Sequence, residues 1–168
     1  MIRPVIKRGD PILLQPTREV VDLESIKELV TDLWDTLIAI QGLRDFTRGS
    51  GIAANQIGEP WRVDILEFEG QRYTLINPRI TSYSEEKVPV REGCLSFFDF
   101  RGLALRYADV TVTAVDLDGT PFTISSDGDL NKSSILQHEL GHLDGELYDS
   151  HLAHGEELVK MPDMPAIP

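Results

Sequence analysis

Toward the end of this 168-residue chain, His138 and His142 stand four positions apart, with Glu139 directly after the first, in the run HELGH. In a helix, positions four apart share one face, so both imidazoles can aim a nitrogen at a single ion. Glu139 lies one step round, placed to touch water beside the ion rather than the ion itself. The chemistry this arrangement supports is hydrolysis. The ion lowers the pKa of water toward neutrality, and the glutamate takes the proton. The plainer alternative is a pair of histidines on a solvated helix face. It requires three fixed letters to coincide, which composition alone produces in well under about one chain in a hundred of this length.

A catalytic ion normally takes three protein ligands and keeps one position open. Extended zincin patterns continue from this motif to a third histidine; Gly145 fits them, but Tyr148 stands where the histidine is required. Another zincin group uses a later glutamate, and Glu156 and Glu157 fall rather close for that role. His151 and His154 lie in polar surroundings that mark surface residues. Cys94, in VREGCLSF, offers a strong, soft thiolate, and the adjacent Gly93 would let backbone approach the ion. A lone cysteine is, however, more often a small buried apolar residue. Spacing alone does not choose among these candidates.

The elements that must position these groups are readable in outline. Apolar residues recur at three-and-four spacing from Leu23 to Gln41, which predicts an amphipathic helix with Asp22 as N-cap and Trp34 in the core. A second helix is expected from about Ser133 through Leu143, carrying HELGH and stopped by Gly145. Between them, strand-like runs cover Arg62 to Phe68, Arg72 to Ile80 and Lys87 to Val90. VTVTAV and PFTIS, joined by DLDGT, read as a hairpin. The polar stretch from Gly42 to Ser50 reads as an extended loop that could serve as a lid, and MPDMPAIP as a loose tail. The expected fold is α+β, with antiparallel strands packed around a C-terminal helix that carries the motif, and an N-terminal amphipathic helix. One domain is expected over residues 1–150, followed by a short tail over 151–168.

Composition sets limits on function. With 41% hydrophobic and 26% charged residues the chain is of ordinary soluble, globular type. No apolar stretch approaches the roughly 20 residues that a membrane span needs. Pro4, Pro11 and charges break the N-terminal segment, so a secretory leader is not expected. A single cysteine excludes an intramolecular disulfide and suits a reducing cytoplasm. The net charge of -12 opposes non-specific binding to nucleic acid or to an anionic membrane.

Three separated segments resemble the motifs of the peptide deformylases, GxGxAAxQ, EGCxS and HExDH. This chain reads GSGIAANQ from Gly49 to Gln56, EGCLS from Glu92 to Ser96 and QHELGH from Gln137 to His142, in the same order and at similar separations. LINP at Leu75 to Pro78 and the pair Arg101–Gly102 extend the likeness from about Ile2 to Tyr148. The resemblance implies that Cys94, His138 and His142 bind one divalent ion, typically ferrous iron, with nickel, cobalt or zinc as substitutes. It implies that Glu139 is the base, and that Gln56 and the backbone N–H of Leu95 donate to the oxyanion. Gly51 and Ile52 would offer backbone groups to an extended peptide, and Arg101 would lie near that peptide's far end. The reaction implied is removal of formyl from N-formylmethionyl chains, releasing formate. The partners implied are a formylated peptide and a transient ribosome contact, the latter disfavoured by a short tail poor in basic residues.

The chain departs from the family pattern at several points. Gly141 replaces the usual aspartate, and Asp144 is expected to take over its pairing with Arg106. Lys132, Ser133 and Ser134 replace mostly apolar residues near the methionine pocket, and the segment Phe97 to Phe100 replaces a proline-containing stretch. The phenylalanines are read as core, with a reshaped cleft wall as the functional alternative. The polar residues motivate a second reading, a relative that hydrolyses a formamide or amide in a small metabolite. A non-catalytic metal-binding module is disfavoured by Glu139 and Gln56, which a structural ion does not need.

Overall fold

A computed structural model describes residues 1–43, 50–162 and 164–167. The order is helix α1 (Lys27–Gln41), strands β1 (Ser50–Ala53), β2 (Val63–Phe68), β3 (Gln71–Tyr83), β4 (Lys87–Cys94), β5 (Phe97–Tyr107), β6 (Val110–Val115) and β7 (Pro121–Ser125), helix α2 (Leu130–Leu143) and strand β8 (Val159–Lys160). All strand pairs are antiparallel, in a five-stranded sheet ordered β1-β2-β3-β6-β7 and a three-stranded sheet ordered β4-β5-β8. The expected α+β class is the one observed. The lid expected over Gly42 to Ser50 falls largely on 44–49, which lie outside the described residues.

Side-chain alternation divides the large sheet into two faces. Ile52, Val63, Ile65 and Ile76 pack with Leu33 and Leu37 of α1. Leu66, Leu75, Val112 and Ile124 point the other way and pack on Leu136 and Leu140 of α2. Burying each such aliphatic side chain contributes about 1.5–3 kcal/mol, so these clusters hold both helices to the sheet. A third cluster, containing Leu13, Cys94, Phe97, Ala104, Leu147 and Tyr148, joins the small sheet to the segment after α2.

Local signals explain where the helices begin. Asp22 Oδ1 accepts from the Glu24 N–H at 3.0 Å and opens a 3-10 lead-in, Glu24–Ile26, ahead of α1. Helix α2 starts at Leu130, earlier than Ser133, because Asp129 Oδ1 accepts from the N–H groups of Asn131 and Lys132 at 2.8 and 3.0 Å. It ends at the glycine expected. Gly145 has φ +79°, and the Glu146 N–H donates to the Gly141 carbonyl at 2.8 Å, closing a Schellman motif. The Leu143 carbonyl accepts from the Thr17 N–H and hydroxyl at 2.9 and 2.8 Å, and from Arg62 at 3.3 Å.

Gly141 lies within α2 with ordinary backbone angles, and a Cβ there would meet only Glu146, at 3.6 Å or more. Gly141→Ala is therefore expected to raise stability by about 1 kcal/mol, through helix propensity and a less flexible unfolded chain. A thermal melt that moved downward would refute this reading of the site.

Two segments depart from the expectation. Strand β5 is not anticipated by the run from Phe97 to Tyr107, yet it pairs with β4 from Lys87↔Tyr107 to Cys94↔Phe97. Gly93 and Gly102 interrupt the alternation that would have signalled this hairpin. The stretch MPDMPAIP is tethered rather than loose: the Met161 N–H donates to the Asp99 carbonyl at 2.6 Å, directly after Val159 and Lys160 pair with Arg101 and Phe100, and Met164 and Ile167 pack against the core. The prolines lie beyond this short pairing and do not oppose it.

Candidate metal centre

The end of β4 and one face of α2 converge on a single point. Cys94 Sγ and one ring nitrogen each of His138 and His142 lie within 4.8 Å of one another. Sγ and His142 Nε2 are 3.2 Å apart. A tetrahedral ion with bonds of about 2.3 Å to sulfur and 2.0 Å to nitrogen would hold such atoms about 3.5 Å apart, so the three groups fit one ion with little movement. The other candidates lie elsewhere. His151 pairs with Glu146 at 2.7 Å, and His154, Glu156 and Glu157 are exposed. Tyr148 stacks on His138 with ring centres 5.7 Å apart.

The electrostatics suit a cation. Burial pushes the Cys94 thiol up to about 12, so a thiolate forms there only beside positive charge. Burial, with smaller contributions from the nearby His138 and Arg106, holds His142 well below the usual histidine range, in the neutral form that ligates. His138 is oriented from behind: its Nδ1 donates to Glu92 at 2.8 Å, leaving Nε2 for the centre.

Glu92 is the hub of this support. It also accepts from Arg106 Nε and Nη2 at 2.7 and 2.9 Å and from the Ser134 hydroxyl at 2.8 Å. Burial alone would raise its carboxyl, but Arg106 and His138 outweigh burial and hold it at about 2. A depressed carboxylate contributes stability above its unfolded value, near 4.5, and loses it as pH falls toward 2. We expect wild-type stability to drop by roughly 3 kcal/mol more than that of Glu92→Gln across this window, measured by urea denaturation. Equal slopes would remove Glu92 as the acid-sensitive group.

The expected pairing of Asp144 with Arg106 does not form. Arg106 is held by Glu92, and Asp144 pairs with Arg62 Nη1 at 2.6 Å. Past the end of α2, Asp144 has left the face on which residue 141 lies. The serines, too, face inward. The Ser133 hydroxyl donates to the Tyr107 carbonyl at 2.8 Å and that of Ser134 to Glu92, so both are committed to packing contacts rather than to a polar cleft edge. Phe97 and Phe98 are buried, Phe97 stacking on Tyr148 at 4.7 Å, in line with the core reading.

The remaining sequence candidates cluster at the same place. Gln56 Oε1 accepts from the Ala53 N–H at 2.9 Å, which turns Nε2 toward Ser96 Oγ at 3.1 Å and Cys94 Sγ at 3.6 Å. Leu95 lies in the tight turn between β4 and β5, where the next N–H, that of Ser96, reaches Cys94 Sγ at 3.4 Å. Gly51 and Ile52 are in β1, an edge strand of the large sheet, and β4 is an edge of the small one. A Cβ on Gly51 would come within 2.6 Å of Glu139 Cδ, so only glycine leaves that carboxyl its place. Arg101 lies over Gly93 and donates to the Phe98 and Phe100 carbonyls at 2.8 and 2.6 Å.

One residue of the site escaped the sequence reading. Asp64 on β2 is fully buried, and among the described residues no hydrogen bond reaches either of its oxygens or Oε2 of Glu139, itself 5% exposed. Burial pushes Asp64 up to about 8 and pushes Glu139 well above the usual range, the Asp64 charge adding to the rise in Glu139. The available signal was an acid inside RVDILEF, an otherwise apolar strand.

Comparison with known proteins places this geometry among relatives. The family model described as polypeptide deformylase matches residues 2–157. A peptide deformylase of Thermomicrobium roseum is 37% identical over 173 residues, covering 96% of this chain and 92% of its own length. A peptide deformylase structure from Legionella pneumophila superposes with a TM-score of 0.79 at 31% identity, over 92% of this chain and 88% of that one. One from Synechococcus elongatus, in complex with actinonin, gives a TM-score of 0.79 at 26% identity, over 92% of this chain and 82% of that one.

Proposed function

The chain belongs to the polypeptide deformylase family, and on that premise we propose that Cys94, His138 and His142 hold one divalent ion at which the formyl group of N-formylmethionyl peptides is hydrolysed to formate. The observation that carries this reading is the convergence of one buried cysteine and two helix histidines, all within 4.8 Å of one another, beside a buried glutamate. The bound ion would supply Lewis acidity, polarising the formyl carbonyl and acidifying water near neutral pH. One thiolate and two imidazoles suit ferrous iron, with nickel, cobalt or zinc as substitutes.

The protein's own groups do the rest. Glu139 takes a proton from the attacking water and passes it to the departing amine. Gln56 Nε2 and the Leu95 N–H donate to the oxygen on which negative charge develops, each typically worth about 3 kcal/mol. Gly51 and Ile52, on an edge strand, offer backbone groups to an extended peptide, and Arg101 lies toward its far end. The formyl carbon carries only hydrogen, so a narrow site admits it and excludes bulkier acyl groups. Such an enzyme works in the cytoplasm, meeting the ribosome only in passing, because a net charge of -12 opposes attachment to RNA.

The test is formate release from formyl-Met-Ala-Ser by metal-loaded protein under anaerobic conditions, with metal analysis of the same sample. Turnover of the formyl peptide should exceed that of acetyl-Met-Ala-Ser by at least about 100-fold. Comparable rates would overturn the selectivity, and absence of formate would overturn the substrate.

A further inference from the structure

We propose that Phe97 and Tyr148 are positioning residues for the ion, two stacked rings that fix the plane of the His138 imidazole and its distance from Cys94. The proposal rests on the reading of Cys94, His138 and His142 as ligands. Cys94 ends β4 and His138 lies on α2, 44 residues further along the chain, so contacts between these elements must set their separation. Glu92 supplies one, through its bond to His138 Nδ1. The aromatic rings supply a second. In the register of the β4–β5 hairpin, Phe97 is the residue paired with Cys94. Its ring lies on that of Tyr148, with centres 4.7 Å apart and planes 1° from parallel. Tyr148 in turn lies on His138, at 5.7 Å and 26°. Both Phe97 and Tyr148 are buried, and they pack with Cys94 itself in one apolar cluster. Arg8 closes the stack from the solvent side. Its guanidinium lies 5.4 Å from the Phe97 ring centre and donates twice to Asp149, the residue after Tyr148. The Arg8 backbone is anchored as well, its N–H donating to the Ser96 carbonyl at 2.8 Å.

A hydrogen bond at one atom leaves a ring free to swing about that bond, and a ligand that swings carries its second nitrogen off the ion. Contact on the ring face removes this freedom, because aromatic pairs hold to offset-stacked or edge-to-face arrangements. His142 adds a further limit, meeting the His138 ring at 72° with centres 5.0 Å apart. Tyr148 contributes its ring rather than its hydroxyl, which is buried and has no hydrogen-bond partner among the described residues. Two features of the sequence thereby acquire a role. The tyrosine that stands where a zincin pattern would continue to a third histidine braces a histidine instead. The first phenylalanine of the segment that replaces a proline-containing stretch is the other half of the brace. Such bracing slows release of the ion without touching the reacting atoms.

The experiment follows cobalt(II)-loaded wild type, Tyr148→Phe, Tyr148→Leu, Phe97→Leu and Cys94→Ala below their melting temperatures, recording the visible absorption of the ion and its rate of release to excess EDTA. Tyr148→Leu and Phe97→Leu should release cobalt about tenfold faster, the lower end of what loss of a residue supporting a ligand costs, and should shift or broaden the visible bands. Tyr148→Phe keeps the ring, so its spectrum should match that of the wild type and its release rate stay within about twofold. A role in packing alone would lower the melting temperature of the leucine variants and leave release from the folded protein unchanged. That result overturns the proposal, as does a Tyr148→Phe that releases cobalt as fast as Tyr148→Leu. If neither leucine variant folds, Arg8→Ala decides, because its side chain is half exposed. Release about two- to threefold faster supports the stack, and an unchanged rate overturns it. The sulfur-to-cobalt absorption band of the wild type must vanish in Cys94→Ala at saturating cobalt. A band retained there, or absent from the wild type, would remove the ligand reading beneath. A band lost in Cys94→Ala, beside leucine variants that hold cobalt as long as the wild type, would remove this proposal alone.

Discussion

Replacing Glu139 by glutamine is expected to cost roughly 10²–10⁴ in kcat while the protein stays folded and metal-loaded. The loss is confined to chemistry because Glu139 is not among the three groups that converge on the ion site. Glutamine is close in shape, so it fits against Gly51 without a new clash, and its neutral amide replaces one of two buried acids, burial and the Asp64 charge both opposing ionisation of Glu139. The unfavourable burial of two neighbouring acids is thereby relieved, and the melting temperature should hold or rise. Formate release, metal content and a thermal melt on one preparation separate these effects. Full activity in the variant would sink the mechanism; loss of metal would show that the glutamate acts on the ion site rather than on water.

The second large effect is expected at Cys94. Cys94→Ala should bind the ion more than about 100-fold less tightly, beyond the 10–100-fold typical when an outer supporting residue is removed. Ser134→Ala, which removes only a hydrogen bond to Glu92, is the matched comparison. Formate release should vanish in Cys94→Ala at metal concentrations that saturate the wild type. Chelation of the wild type should do the same and lower its melting temperature, because the ion binds the folded state alone; adding metal back should restore both. A Cys94→Ala enzyme that kept its metal would return the third ligand to the histidines and glutamates of the C-terminal segment.

The parts of this molecule that were legible in its sequence are those governed by short-range rules. HELGH gave two groups on one helix face because helix geometry is local. Gly145 marked the end of α2 because the backbone there needs positive φ, and a Cβ would strike Leu14 and Gln15. Cys94 was different: it stands 44 residues before His138, and only the resemblance of EGCLS selected it. Strand β5 was missed because glycines disturbed its alternation, and Arg106 was given the wrong partner because pairing across β4 and β5 depends on register. Asp64 went unread for the converse reason. An acid in an apolar strand is a clear local anomaly, but its meaning is fixed by an element 75 residues further along the chain.

The glycine beside the base has a consequence for how this protein can vary. Gly51 supplies no side chain, yet even a methyl group there would occupy the space of the Glu139 carboxyl. In a saturation library selected for growth on this enzyme, codon 51 should therefore tolerate as few replacements as the codons for Cys94, His138 and His142. Ranked by tolerance alone, an empty position and three ion-binding ones would be indistinguishable. What separates them is the phenotype of the purified variant: intact metal with a displaced base at position 51, and a lost metal at the other three.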